Sequence, residues 1–141
     1  MWIDRQSAPA TRDNTGAAMF DQAIFAEIRD ALPAAALLTH LRILIASCEA
    51  LLAQLRDAAP QSPAPGLAEA AHKLAGGAGT FGFLATAAAA RAFVTAADTG
   101  AANTGALADR LAAAIEDALV IAHNKLDGAD VTSDMAASPP A

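Results

Sequence analysis

His72 stands out in this chain because so little surrounds it. It lies in the string Glu69-Ala-Ala-His72-Lys73-Leu74-Ala75-Gly76-Gly77-Ala78-Gly79-Thr80-Phe81-Gly82-Phe83. At 3.6 residues per turn, Leu67, Ala71, Leu74, Ala78 and Phe81 form a core-facing stripe. His72 lies about 100° round from Ala71, on the polar side. Its turn neighbours are Ala68, Glu69, Ala75 and Gly76, with Gly79 one turn further. Each helical glycine costs about 0.8–1 kcal/mol relative to alanine, so Gly76, Gly77 and Gly79 together cost about 2.5–3 kcal/mol. A helix carries that cost more easily where another backbone or a partner must come close. An imidazole with an ordinary pKa of about 6.5 is mostly neutral at cellular pH and offers a free nitrogen lone pair. The pattern is that of a histidine on an open ridge that a partner must approach closely; without more, a solvent-facing helix histidine is the plainer reading.

Other constellations are weaker. Gly77-x-Gly79-x-x-Gly82 matches the dinucleotide-binding fingerprint in letters, but that fingerprint needs a preceding strand. The residues before it, Leu67 to Leu74, follow a helical pattern, and no Walker lysine follows the glycines. His40 and His123 have no histidine or cysteine at metal-ligand spacing and read as core-edge or surface residues. The acidic residues are scattered, so no Mg²⁺ cage is expected. Cys48 is the single cysteine, which excludes an internal disulfide and is compatible with a reducing compartment.

His72-x-Leu74-x-Gly76 followed by Gly82 resembles the phosphoacceptor motif of histidine-containing phosphotransfer (HPt) domains. Those domains carry the motif on the second helix of a four-helix bundle, and the looser resemblance covers about Phe20 to Leu126. It implies that His72 accepts a phosphoryl group from a phosphoaspartate on a response-regulator receiver domain, such as that of a hybrid sensor kinase. It implies a phosphohistidine carrier in a multistep phosphorelay, not an ATP-dependent kinase. The chain itself needs no cofactor on this reading, and Mg²⁺ belongs to the partner. Lys73 could offset phosphoryl charge; Gly76, Gly79, Glu69 and Ala75 border the partner's approach. Two positions depart from the family. The usual lysine three residues after the histidine is Ala75. The Gln or Glu that often orients the imidazole is matched by Val94, with Arg91 and Thr95 the nearest polar alternatives. A helical adaptor that binds receivers without transfer is the alternative reading.

The elements that must position His72 are helical: alanine is abundant and β-branched residues are few. A short helix is expected from about Asp21 to Leu32, capped by Asp21. Pro33 opens a second, running to about Ala58 on the seam Leu37, Leu41, Leu44, Cys48, Leu51 and Leu55. Pro60 to Gly66 reads as a loop, with Ser62 a candidate cap for the helix bearing His72. That helix ends near Gly82. The next runs from about Phe83 to Asp98 with Ala87, Ala90, Val94 and Ala97 inward, and Gly100 stops it. Asn103 or Thr104 caps the last helix, which runs to about Leu126. The expected fold is all-α: an up-down four-helix bundle with a short extra N-terminal helix. Residues 1–18 are expected as a flexible tail, 19–127 as the bundle and 128–141 as a disordered tail.

The 141 residues suffice for one core, and hydrophobic residues make up 55% of them. A net charge of −6 argues against nucleic-acid binding, which wants a basic face. No signal peptide is evident. Leu74 to Ala90 is uncharged over 17 residues but rich in Ala, Gly and Thr, and is not expected to span a membrane. The expectation is a cytoplasmic monomer.

Overall fold

A computed structural model of the chain describes residues 20–57 and 65–137. Among these, five helices and no strands occur: α1 (Gln22–Ala31), α2 (Ala34–Asp57), α3 (Pro65–Thr80), α4 (Leu84–Thr99) and α5 (Thr104–Ala137). The four longer helices pack as α2 on α3, α3 on α4, α4 on α5 and α5 on α2, around one hydrophobic core. The result is a helical bundle.

Asp21 caps α1 as its residue type predicts, accepting hydrogen bonds from the Ala23 and Ile24 amides at 2.9 and 3.1 Å. Phe25 is the buried anchor of α1. The α2 seam is also as expected. Leu37, Leu41, Leu44, Cys48 and Leu51 are buried, with Leu38, Ile45 and Leu52 widening the stripe. By length and apolarity α2 could cross a membrane, but that stripe is packed inside the bundle. Arg56 pairs with Glu116 across α2 and α5.

The α3–α4 turn is tight and glycine-dependent. Gly82 adopts φ +92°, and a Cβ there would sit 2.6 Å from the Asp21 carbonyl oxygen. The Asp21 amide donates to the Gly82 carbonyl at 2.7 Å. Gly82 thereby fixes both the turn and the docking of α1. The same turn interrupts Leu74 to Ala90, so that uncharged stretch is not one continuous helix. Gly100 ends α4 in the left-handed conformation, φ +67°.

Three expectations are corrected. Pro65 and Gly66 belong to the first turn of α3 rather than to a loop, because proline's fixed φ suits a helix start; Ser62 lies outside the described residues. On α4, Phe93 and Ala96 are fully packed while Val94 and Ala97 are half-buried. The bulk of Phe93 turns the helix by one position. Of the two candidate caps of α5, Thr104 donates its hydroxyl to the Ala101 carbonyl at 2.6 Å, and Asn103 stands just before the helix, its carbonyl accepting from the Leu107 amide at 3.0 Å. Finally, α5 runs through Gly128 to Ala137, where a disordered tail was expected. Gly128 keeps a negative φ, and one glycine does not stop a cooperative helix of this length. Residues 1–18 and 138–141 lie outside the described residues.

Candidate functional site

The phase of α3 decides what His72 can do. Leu67, Ala71, Leu74, Ala78 and Phe81 are all buried, which anchors one face of α3 in the core. His72, one position past Ala71, is therefore exposed, as are Glu69 and Lys73. Among the described residues no side chain or backbone group hydrogen-bonds or ion-pairs with His72.

The small residues around His72 play different parts. Gly76, one turn on, is exposed, and a Cβ built there would meet nothing within 4 Å. No internal packing explains this glycine. Gly79 is half-buried; its Cβ would lie 3.6 Å from Arg91 Nη2 and 3.8 Å from Ala87 Cβ. A Cβ built on Gly77 would lie 3.9 Å from Leu44 Cδ1, an ordinary contact distance. Ala75 is only 3% exposed. It belongs to the packed face, where a small side chain lets neighbouring helices approach, and not to the open ridge with Gly76.

The α4 residues beside the ridge follow from the α3–α4 turn. A Cβ at Gly79 would touch both Ala87 and Arg91, so these α4 residues lie beside the end of α3. Val94 is half-buried, whereas Thr95 and Arg91 are exposed. No acceptor fixes the His72 ring among the described residues, Thr95 and Arg91 included.

On the other flank, Lys73 lines a cleft of about 290 Å³ between α2 and α3, with His40, Ile43, Ser47 and Phe81. The His40 and Phe81 ring centroids are 6.3 Å apart. Ile43 is 57% exposed, an apolar side chain presented to solvent beside the ridge. Reasoning from the sequence passed over Ile43. The available signal was its position off the Leu37–Leu55 seam, where a large aliphatic has no core role. His123 lies elsewhere, 4.0 Å from Glu49 on α2. Among the described residues no group of three His, Cys, Asp or Glu is placed to hold a metal ion. A larger cleft, of about 510 Å³, lies between α1, the start of α2 and α5, and no α3 residue lines it.

The arrangement presents an unpartnered imidazole on a ridge that a concave surface could cover, with Glu69 one turn before it and a cation on either flank. No curated protein and no solved structure matches the chain. The family model described as Hpt domain matches residues 40–121, from His40 on α2 to Ile121 on α5. This match takes in more than half of the chain and the whole of α3 and α4, so the chain belongs to the Hpt domain family.

Proposed function

We propose that the protein is a phosphohistidine carrier in a two-component phosphorelay, with His72 as the acceptor. The observation that carries this reading is an exposed, unpartnered histidine beside a glycine that packing does not require, within the matched Hpt segment. Hpt domains act with response-regulator receiver domains, and the donor here is a phosphoaspartate on such a domain. The four long helices in an up-down arrangement form part of the same reading, supported by their pairwise packing.

The step balances simply. A ring nitrogen lone pair of neutral His72 attacks phosphorus, and the N–P bond forms as the acyl phosphate P–O bond breaks. The aspartate leaves as a carboxylate. The second ring nitrogen keeps its proton during attack and releases it to water, consistent with an open ring. Mg²⁺ on the receiver offsets phosphoryl charge, and Lys73 adds a cation from this chain. The protein is a stoichiometric carrier with no nucleotide chemistry of its own, and we place it in the cytoplasm as a monomer.

The test is transfer from a phosphorylated receiver domain with Mg²⁺, read by intact mass, for wild type and His72→Ala. An added phosphoryl mass that is acid-labile, base-stable and missing in the variant supports the proposal. A second reading, an adaptor that binds receivers without transfer, is favoured by one observation: nothing among the described residues orients the imidazole. Measurable binding with no phosphoryl acceptance from any of several receivers would establish it instead.

A further inference from the structure

We infer that Arg91 is the residue through which this protein recognises the carboxylate-lined rim of its partner's phosphorylation cleft. It acts on docking and orientation and not on the chemistry at His72. The inference rests on the proposed phosphotransfer function.

Three observations carry it. First, the Arg91 guanidinium lies against α3 at Gly79: a Cβ built there would stand 3.6 Å from Nη2, an ordinary contact distance. Second, Arg91 is exposed, and among the described residues it has no salt bridge or hydrogen bond. Arg56 and Arg29, by contrast, pair with Glu116 and Asp30. Third, Lys73 occupies the opposite flank, in the cleft toward α2. Two cations therefore bracket the ridge of a protein whose net charge is −6.

The chemistry of the partner gives this bracket its meaning. A cleft that binds Mg²⁺ and carries a phosphorylated aspartate is built from carboxylates. Two acidic surfaces repel unless positive charge is placed at the contact. Gly79 is seven residues from His72, about 10 Å along the helix. Helical side chains lean toward the N-terminus, which carries the His72 ring further from Gly79. In this position Arg91 reaches the rim of a covering cleft and not the phosphoryl group. Glu69, one turn before His72, is exposed on the other side of the histidine from Gly79. Positive charge thus runs from Lys73 beside the histidine to Arg91 at Gly79, with the Glu69 carboxylate before the histidine, and that asymmetry favours one orientation of an acidic partner. Arginine suits the task because its fork meets carboxylate oxygens in pairs.

The test uses the full chain with Arg91→Glu and Arg91→Lys. Transfer is measured from a panel of receiver domains phosphorylated with acetyl phosphate and Mg²⁺, across a salt series. Phosphoramidate, a small donor that needs no partner, phosphorylates His72 in a parallel arm. Arg91→Glu is expected to lower kcat/KM for receiver transfer by about tenfold or more at low salt, mostly through KM, with the deficit shrinking as salt screens the contact. Arg91→Lys, which keeps the charge but not the fork, is expected to lose part of the rate and less than Arg91→Glu, and the phosphoramidate rate and the melting temperature stay at wild-type values in both. Wild-type transfer rates in Arg91→Glu at every salt concentration would overturn the inference alone. So would a loss of equal size with phosphoramidate, which would place Arg91 in the chemistry at His72. Failure of the wild-type protein to accept from any receiver would instead remove the proposed function, and this inference with it.

Discussion

At the scale of single residues, the glycines separate function from folding. Gly76 has helical geometry and open space around it, so Gly76→Ala should stabilise the protein by up to about 1 kcal/mol, read by denaturant unfolding. Gly76→Phe should leave the fold intact and slow receiver transfer sharply, because it fills the approach to His72. If Gly76→Phe transferred at the wild-type rate, the ridge would not be the docking face. Gly82→Ala should do the reverse. Its positive φ and the 2.6 Å clash with Asp21 predict a loss of about 1–3 kcal/mol, visible in a melt. Cys48 offers a third handle. Burial, and secondarily Glu49, pushes its thiol up from 9.0 to about 12. The folded state therefore keeps a proton that the unfolded chain loses near 9.0. This contribution is whole below that pH and is lost as pH rises toward 12, so Cys48→Ala should show a shallower fall in stability between pH 8 and 11 than wild type. The phase of His72 was legible in the sequence because Leu67, Leu74 and Phe81 are large enough to mark the inward face of α3. The part played by Ala75 was not, because an alanine fits a packed face and an open one equally.

At the scale of helices, the same argument explains where the sequence misleads. In α4, Ala87 to Ala90 form an unbroken alanine run, so the pattern alone does not fix which way the helix turns. Bulk fixes it: Phe93 is fully buried, and Val94, one position on, is left at the edge of the core. Gly128 resembles a helix stop by type, yet glycine stops a helix only in the left-handed conformation, which Gly100 adopts and Gly128 does not. The α4–α5 contact contains one buried polar group, Thr86, whose hydroxyl donates to the Ala114 carbonyl at 3.3 Å. Thr86→Val keeps the shape and removes that bond, and should cost about 0.5–1.5 kcal/mol. Phe93→Ala opens a cavity two turns further along α4 and should cost about 3–5 kcal/mol. A double-mutant cycle on thermal or denaturant stability would show whether the two couple. They sit two turns, about 10 Å, apart along one buried face, so the two costs are expected to add to within about 0.5 kcal/mol.

For the whole molecule, the distribution of packing predicts an order of opening. The helices α2 to α5 share the core, and each touches two neighbours. Helix α1 contributes one fully buried side chain, Phe25, and is tied down by the Asp21 cap, the Asp21–Gly82 backbone bond and the contact of Phe20 with Phe25 and Phe83. Cooperative units with few buried contacts open at lower free energy than the global transition. Hydrogen exchange should therefore show α1 amides protected less than those of α2 and α4, with α1 opening as a unit. Asp21→Ala should weaken α1 protection by about 0.5–2 kcal/mol, the usual worth of a helix cap. The His72 face lies on the α2, α3 and α4 side, and α1 adds no residue to it. Phosphoramidate labelling of His72 should thus proceed at the wild-type rate in Asp21→Ala, even as α1 exchanges faster. Slower labelling would mean that α1, through Gly82 and the α3–α4 turn, helps to set the His72 ridge. The relay surface and the N-terminal helix would then be one cooperative unit instead of two.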